Sequence, residues 1–346
     1  MKRKRFTWNH WFSLICLLFV PALSLRAGPK TEPSRAEFVL GTVCAVTLYD
    51  QGKAKIYQDV FGQLREIDNR MSINLADSDV SKINAAAGMM PVKVHDTVFE
   101  VIERAIFFAE LSDGAFDPTI GPLVSLWGIG GDTPHLPSQG EIDAILPLVN
   151  WRDIEIDKNT ATVFLKRPGM ALDLGGVAKG YAADKAEEIV KKARLRRALI
   201  DLGGNIVVYG EKPDGSPWRV GLQNPLDSRG EIIGTLQVRE GSVVTSGVYE
   251  RNFEAQGITY HHIFSPTDGY PARNGLLSVT VIAKSSMDAD ALSTALFVLG
   301  YEKGKALIDS LQGIEAVFVF YDMGVRKTGG AEFSLTNGDF RLLSDQ

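Results

Sequence analysis

Residues 286–300, SMDADALSTALFVLG, set oxygen-bearing side chains among apolar ones. Asp290 and Thr294 are four residues apart, so in a helix both side chains point the same way, one turn apart. Oxygen donors of this kind are the ligands that Mg²⁺ and Ca²⁺ prefer. Ser and Asp also commonly begin a helix, with Ser286 or Asp288 as the N-cap. The segment alone leaves two interpretations open: a metal site or an ordinary helix start.

A second candidate is the glycine-rich segment LDLGGVAKGYAAD at residues 172–184. Backbone amides at a strand-to-helix turn form an anion site, and Lys179 adds a positive charge. The pattern favours a phosphate, although it matches neither standard nucleotide-binding fingerprint. The alternative is a tight turn in which glycine supplies a positive φ and Asp173 caps the turn.

The Asp-Leu-Gly-Gly sequence recurs at residues 201–204, between two predicted strands. There we expect the two glycines to permit close backbone packing rather than to bind a ligand.

The histidines are the third group of residues that could take part in chemistry. His261 and His262 are adjacent, so on a strand they point to opposite faces and only one can enter a given site. His262 lies beside a strand end and the SPTDGYP turn, where functional side chains often occur. The five histidines form no metal-binding array, and with only two cysteines a zinc site is disfavoured. No Gly-x-Ser-x-Gly segment supports a serine hydrolase.

The chain around these segments predicts a globular protein of mixed α and β structure. Its 346 residues are 45% hydrophobic, which is enough for a substantial core, and a net charge of -5 argues against nucleic acid as a partner. Because helices and strands do not alternate regularly, a simple doubly wound sheet is disfavoured. Periodicity and turn residues predict helices at residues 53–70, 96–111, 177–193, 286–300 and 303–311, a hairpin at 151–169, and strands at 38–50, 197–201, 205–209 and 313–321, with further short strands to about residue 283.

The N-terminus has the pattern of an export signal. MKRKR precedes the apolar run WFSLICLLFVPALSL, so residues 1–27 are predicted as a signal sequence, residues 28–37 as a connector and residues 38–346 as one catalytic domain. Two alternatives stay open, a lipoprotein signal ending near Cys16 and an uncleaved signal. Either of them would attach the exported protein to the membrane.

Taken in order, these segments resemble the ApbE family of FAD:protein FMN transferases, from about residue 38 to residue 336. The matching segments are LGT, MSINLADSDVSKIN, GAFDPTIGPL, LDLGGVAKGYAAD, IDLGGNI, WRVGLQNP, TSGVYER, YHHIFSPTDGYP and DADALSTALFVLG. The resemblance implies an α+β, two-lobed fold with mixed sheets and flanking helices, and an active site in the cleft between the lobes. It also implies bound FAD and Mg²⁺ and a periplasmic location.

Members of this family cleave FAD at the pyrophosphate and attach FMN through a phosphoester to a threonine of a partner protein, releasing AMP. Typical acceptors are subunits of membrane redox complexes. Two other functions remain open: a Mg²⁺-dependent FAD pyrophosphatase that yields FMN and AMP, and a non-catalytic periplasmic lipoprotein that binds flavin.

The resemblance also assigns residues to roles. Asp290 and Thr294 would bind Mg²⁺ together with backbone carbonyl oxygens of the turn from Gly176 to Ala178. Lys179 would be an electrostatic clamp, and His262 would be the general base that takes the proton of the acceptor threonine, or else only a flavin contact. The FAD contacts implied by the same matching are Leu40, Asn74, Ala115, Phe116, Asp117, Asp173, Lys179, His262 and Ile263.

Asn74 departs from the family pattern, because relatives commonly have Tyr or Trp at this position. An amide has no aromatic face that could stack on a flavin or adenine ring. We therefore expect weaker retention of FAD and freer access of water to the site.

Overall fold

A nine-stranded sheet with helices packed against it organises the computed structural model, which describes residues 34–50, 53–212 and 214–344. The predicted signal sequence and Cys16 lie outside the described residues. The helices are α1 (Ala54–Met71), α2 (Asp79–Ala85), α3 (Asp96–Leu111), α4 (Gly121–Trp127), α5 (Gln139–Ile145), α6 (Ala178–Lys192) and α7 (Ser286–Asp309), with short 3-10 helices at Leu146–Leu148 and Trp151–Asp153. The strands are β1 (Arg35–Val39), β2 (Thr42–Leu48), β3 (Val92–Lys93), β4 (Ile154–Asp157), β5 (Thr162–Leu165), β6 (Ala198–Leu202), β7 (Asn205–Tyr209), β8 (Trp218–Gln223), β9 (Ile232–Val238), β10 (Gly241–Gly247), β11 (Asn252–Ala255), β12 (Ile258–His261), β13 (Leu276–Ala283), β14 (Glu315–Phe320), β15 (Gly324–Lys327), β16 (Phe333–Leu335) and β17 (Arg341–Leu342).

The large sheet has the strand order β1-β2-β6-β7-β10-β13-β14-β15-β17. Its neighbours pair antiparallel except β15 and β17, which are parallel. Smaller sheets have the orders β11-β12, β16-β9-β8 and β3-β5-β4. Mixed sheets with flanking helices confirm the predicted α+β class.

The helices form where apolar residues recur at helical spacing. Val60, Leu64 and Ile67 of α1 are all buried, and one face of α3 is buried in the same way. Burying each such side chain contributes about 1.5–3 kcal/mol, so these faces fix both helices against the core. Among the described residues, no helix is long and apolar enough to cross a membrane.

The structure corrects one predicted strand. Residues 38–50 do not form a single strand, because β1 and β2 pair as a hairpin whose turn is Leu40 and Gly41. Both turn residues have a positive φ, 56° and 69°, as in the two-residue turns that suit a hairpin. Strand β1 also begins at Arg35, inside the predicted connector.

Close packing of α6 on α7 brings two polar segments together. A Cβ at Gly180 would lie 2.3 Å from the Ser286 carbonyl oxygen, so only glycine allows this approach. One turn further along α6, the Asp184 carboxylate accepts hydrogen bonds from the amides of Ser286 and Met287. The N-cap of α7 is Ser285, not Ser286 or Asp288 as the sequence suggested.

Candidate active site

Asp290 extends from α7 to the beginning of α6. It is 3% exposed, and its Oδ2 accepts a hydrogen bond of 2.9 Å from the Gly180 amide. That amide belongs to the first turn of α6, where backbone N–H groups have no partner within the helix. Asp290 Oδ1 lies 3.9 Å from Lys179 Nζ. The carboxylate therefore serves the neighbouring helix, and Asp290 is not part of an ordinary helix start in α7.

Thr294 faces the glycine-rich turn that precedes α6. A Cβ at Gly176 would lie 3.3 Å from Thr294 Oγ1 and 3.1 Å from Phe116 Cε2, so the turn packs directly on both side chains. The Thr294 hydroxyl is also 3.3 Å from the Ser246 hydroxyl, which in turn is 2.8 Å from Ser293 Oγ. As predicted from their spacing, Asp290 and Thr294 present their oxygens on one face.

Most amides of this turn have acceptors inside it, which argues against the predicted anion cradle. The Gly175 amide donates to Asp173 Oδ1 at 2.7 Å, and the amides of Val177 and Ala178 donate to the Leu174 carbonyl at 3.0 and 2.8 Å. Asp173 therefore caps the turn, as the structural alternative proposed, but Gly175 does not have a positive φ. Phosphate binding by these amides is not supported.

The oxygen donors at this point suit a small divalent cation. Among the described residues, no group of three or more His, Cys, Asp or Glu side chains could hold a metal ion. Mg²⁺ is usually bound by only one or two carboxylates together with water and substrate phosphates. The Asp290 carboxylate, the Thr294 hydroxyl and the carbonyl oxygens of Gly176 and Ala178 fit that description, and Lys179 Nζ is held beside them by the Gly175 carbonyl at 3.2 Å.

His262 follows β12, and its backbone and ring both face the Arg251 carbonyl. The backbone amide donates to that carbonyl at 3.2 Å, and Nδ1 lies 3.2 Å from the same oxygen. Since a carbonyl only accepts, Nδ1 carries the proton and Nε2 keeps its lone pair. Burial, together with the positive charges of Arg251 and Lys179, lowers the pKa of His262 to about 4. The imidazole is therefore neutral near pH 7 and can accept a proton.

His261 points away from His262, as alternation along a strand predicts. It is buried, its Nε2 lies 3.0 Å from the Ala272 carbonyl, and its ring meets Phe297 edge-on at 5.5 Å. The segment that carries both histidines is fixed by an aromatic cluster around Trp127, whose indole N–H donates to the Gly269 carbonyl at 2.9 Å. The other rings of that cluster are Phe253, Tyr260, Phe264 and Tyr270.

Asp117, an expected FAD contact, uses both carboxylate oxygens within the protein. Oδ1 accepts from the amide and hydroxyl of Thr119, at 2.8 and 2.6 Å, and Oδ2 accepts from the Trp151 amide at 3.0 Å. Burial raises the pKa of Asp117 and also that of Asp173. The Asp173 amide donates to the Pro118 carbonyl at 2.8 Å. The Asp117 carboxylate thus orders a turn that is joined to the glycine-rich segment.

The remaining expected FAD contacts lie in separate loops. The Leu40 amide donates to Asp68 Oδ2 at 3.1 Å, the Ala115 amide donates to the Ser112 carbonyl at 3.1 Å, and Ile263 is buried. Asn74 is exposed in the loop between α1 and α2. In the described part of the chain, no hydrogen bond joins its side chain to the other candidate residues.

Two residues that position the site were given no role from the sequence. Gly180 and Asp184 bring the start of α7 onto α6, and both lie in the segment 172–184. Their spacing of four residues, which places them on one face of a helix, was the available signal.

A buried carboxylate and a hydroxyl at a turn that carries a lysine, with a neutral imidazole within reach of that lysine's charge, are groups that an enzyme transferring a phosphate-containing group uses. The ApbE family model matches residues 40–318. A protein from Treponema pallidum named FAD:protein FMN transferase is 40% identical over 335 residues, 92% of each chain. One of the same name from Klebsiella pneumoniae is 41% identical, over 83% of this chain and 88% of that protein.

Solved structures agree with this match. The ApbE protein from Thermotoga maritima superposes with a TM-score of 0.77 at 32% identity, over 88% of this chain and 96% of that one. The flavin transferase ApbE from Vibrio cholerae superposes with a TM-score of 0.76 at 29% identity, over 90% of this chain and 98% of that one. The chain belongs to the ApbE family.

Proposed function

We propose that this protein is a Mg²⁺-dependent FAD:protein FMN transferase, which attaches FMN to a threonine of an acceptor protein and releases AMP. The relatives that share most of its length carry that name. The observation that carries the proposal is the buried Asp290 carboxylate, which lies with Thr294 against the turn before α6 and 3.9 Å from Lys179 Nζ.

In the proposed reaction the threonine hydroxyl attacks the phosphorus on the FMN side of the pyrophosphate. A new P–O bond forms to threonine, the P–O bond to the AMP phosphate breaks, and AMP leaves. His262 Nε2 takes the hydroxyl proton, and Lys179 stabilises the charge on the phosphate oxygens. Asp290, Thr294 and the carbonyl oxygens of Gly176 and Ala178 would hold Mg²⁺, which neutralises pyrophosphate charge when it is bound.

The proposed location is the periplasm, with the active site outside the cytoplasmic membrane. Support comes from the basic MKRKR segment and the apolar run after it. Cleavage after residue 27, lipidation of Cys16 and retention of the signal all lead to export, and the last two anchor the protein near membrane redox complexes. A fusion to a reporter that works only outside the cytoplasm should be active.

A specific observation favours FAD pyrophosphatase activity as a second function. Asn74 is exposed and offers no aromatic face for flavin stacking, so water can replace threonine as the nucleophile while the same metal site is used. A protein that only carries flavin, the third possibility, has no need for a buried carboxylate beside a lysine.

The test mixes purified full-length protein with FAD and MgCl₂, with and without a subunit of a membrane redox complex that bears a threonine in a Ser/Thr-rich segment. AMP is measured by chromatography, and covalent flavin by fluorescence of the denatured acceptor. We expect Mg²⁺-dependent AMP release and labelling that is lost when the acceptor threonine is replaced by alanine. AMP release without labelling would contradict the transferase and support the pyrophosphatase. The absence of both AMP release and labelling would contradict both functions.

A further inference from the structure

The Arg251 side chain lies beside the candidate site, but no ligand has been assigned to it so far. The backbone carbonyl of Arg251 holds His262, whereas its exposed side chain runs along two glycines. A Cβ at Gly130 would lie 2.8 Å from Arg251 Cδ, and one at Gly41 would lie 3.5 Å from Nη2. The absence of side chains at both glycines therefore makes room for the arginine next to the Leu40 turn.

The Arg251 guanidinium is available to a ligand. Within residues 34–50, 53–212 and 214–344 it makes no ion pair and donates no hydrogen bond. Its N–H groups form a planar fork that matches two oxygens of a phosphate better than a lysine ammonium does. An exposed arginine that passes close to two glycines, with its donors unused, is suited to binding an anion.

The charge of Arg251 acts on residues of the candidate site. Arg251 and Lys179 are the two cations whose fields act on both the Asp173 carboxylate and the His262 imidazole. Lys179 has the Asp290 carboxylate 3.9 Å away, whereas the Arg251 guanidinium, next to Gly41, has no carboxylate partner among the described residues. The pyrophosphate of FAD carries two negative charges, one on each phosphate, and riboflavin carries none.

We propose that the Arg251 guanidinium binds a phosphate group of FAD and thereby makes the site select nucleotide flavins over riboflavin. This inference rests on the proposed function. The Arg251 side chain acts on the phosphate directly, whereas its backbone carbonyl orients His262, so a side-chain substitution separates the two roles.

The test compares Arg251→Met and Arg251→Lys with Arg273→Met in the full-length protein. Arg273 is a matched control, since it is an exposed arginine of the neighbouring segment whose guanidinium lies over the Tyr260 ring at 5.0 Å. Binding of FAD and of riboflavin is measured by flavin fluorescence in EDTA, so that neither metal binding nor turnover contributes. Thermal melting checks that each variant is folded.

Loss of a charge-assisted fork should weaken FAD binding by about tenfold in Arg251→Met. Riboflavin binding should stay unchanged, Arg251→Lys should recover part of the FAD affinity, and Arg273→Met should match the wild type. Equal affinity of Arg251→Met and wild type for FAD would overturn the inference while leaving the proposed function intact. Equal weakening for FAD and riboflavin would also overturn it. Failure of the wild type to bind FAD at all would instead contradict the proposed function.

Discussion

Two turns with the same sequence, Asp-Leu-Gly-Gly, have different structures in this protein. At residues 173–176 the turn leads into α6, and its glycines have no positive φ. At residues 201–204 it joins β6 to β7, and Gly203 and Gly204 have φ values of 65° and 101°. Each aspartate accepts from a glycine amide of its own turn, at 2.7 Å in the first and 3.0 Å in the second.

The difference shows that the residues after the turn, and not the turn itself, decide what it can do. Val-Ala-Lys-Gly follows the first turn and continues as a helix, which brings Lys179 beside Asp290. Asn-Ile-Val-Val follows the second and continues as a strand. The second turn then packs on the β1–β2 hairpin, since a Cβ at Gly203 would lie 2.3 Å from Thr42 Oγ1. We assign chemistry to the first turn and architecture to the second.

The largest expected effect comes from removing the carboxylate that faces the first turn. Asp290→Ala should lower AMP release by about a thousandfold, because the only carboxylate of the proposed metal site is lost. Thr294→Val removes a neutral ligand and should act more mildly. Asp309→Ala, in the exposed last turn of α7, is the control and should keep wild-type turnover. Normal Mg²⁺-dependent turnover in Asp290→Ala would remove the basis for assigning chemistry to the first turn.

The second-largest effect is expected at His262, because in the proposed reaction it acts on the acceptor rather than on the pyrophosphate. His262→Asn should slow transfer to threonine by about a hundredfold, the usual contribution of a general base. In the proposed reaction the neutral imidazole is required, and burial lowers the pKa of His262 to about 4. Transfer should therefore persist as the pH falls through 6.5 and be lost only towards pH 4.

The same lowered pKa predicts an effect on stability. Between pH 6.5 and 4 the unfolded chain binds a proton at His262 that the folded protein does not. The contribution of His262 to the free energy of unfolding is therefore complete above pH 6.5 and is lost as the pH falls towards 4. His262→Asn should therefore lose less thermal stability over this range than the wild type. If the rate of transfer instead fell as the pH dropped through 6.5, His262 would titrate like an exposed histidine.

Replacing one glycine of each turn with alanine tests the difference between the two turns directly. Gly203→Ala should destabilise the fold by about 1–2 kcal/mol or more, since its φ is positive and its Cβ would meet Thr42. Gly176→Ala has an ordinary φ, but its Cβ would displace Thr294 and Phe116 slightly, so it should lower AMP release by about tenfold with little loss of stability. Melting temperature and turnover per folded protein separate the two effects, and a reversed pattern would exchange the roles of the turns.

The smallest effect is expected at Asn74, which lies outside both turns. Asn74→Tyr should add a stacking contact of roughly 1 kcal/mol and tighten FAD binding several-fold. Hydrolysis should slow because the substrate is retained, while transfer to threonine survives. FAD dissociation, AMP release and acceptor labelling are measured in parallel. Unchanged affinity with unchanged hydrolysis would show that residue 74 does not control access of water.

The sequence predicted the parts of this molecule that local patterns determine. Periodic apolar residues located α1 and α3, and the spacing of Asp290 and Thr294 located one face of the site. The hairpin turn at Leu40 and Gly41 was missed, because leucine with a positive φ is unusual and gives no turn signal. The order of the nine-stranded sheet depends on pairings such as β2 with β6, between residues far apart in the chain, which no local pattern encodes.

The contacts between α6 and α7 at the site also could not be predicted from the sequence. Nothing in the local sequence indicates that the Gly180 amide donates to Asp290 on another helix, or that most amides of the first turn already have acceptors. Both facts follow from the close approach of α6 and α7, which is a property of tertiary packing. The family resemblance supplied the ligand assignment that spacing alone left open.

The position of a bound divalent cation tests the difference between the two turns most directly. Crystals of the protein with Mn²⁺ and ADP, the latter as a source of pyrophosphate, would locate the metal by its anomalous scattering. We predict one Mn²⁺ at ligand distance, about 2.0–2.5 Å, from oxygens of Asp290 and Thr294 at the turn before α6. An ordered Mn²⁺ bound elsewhere, with the Asp290 carboxylate unliganded, would contradict the assignment of chemistry to the first turn.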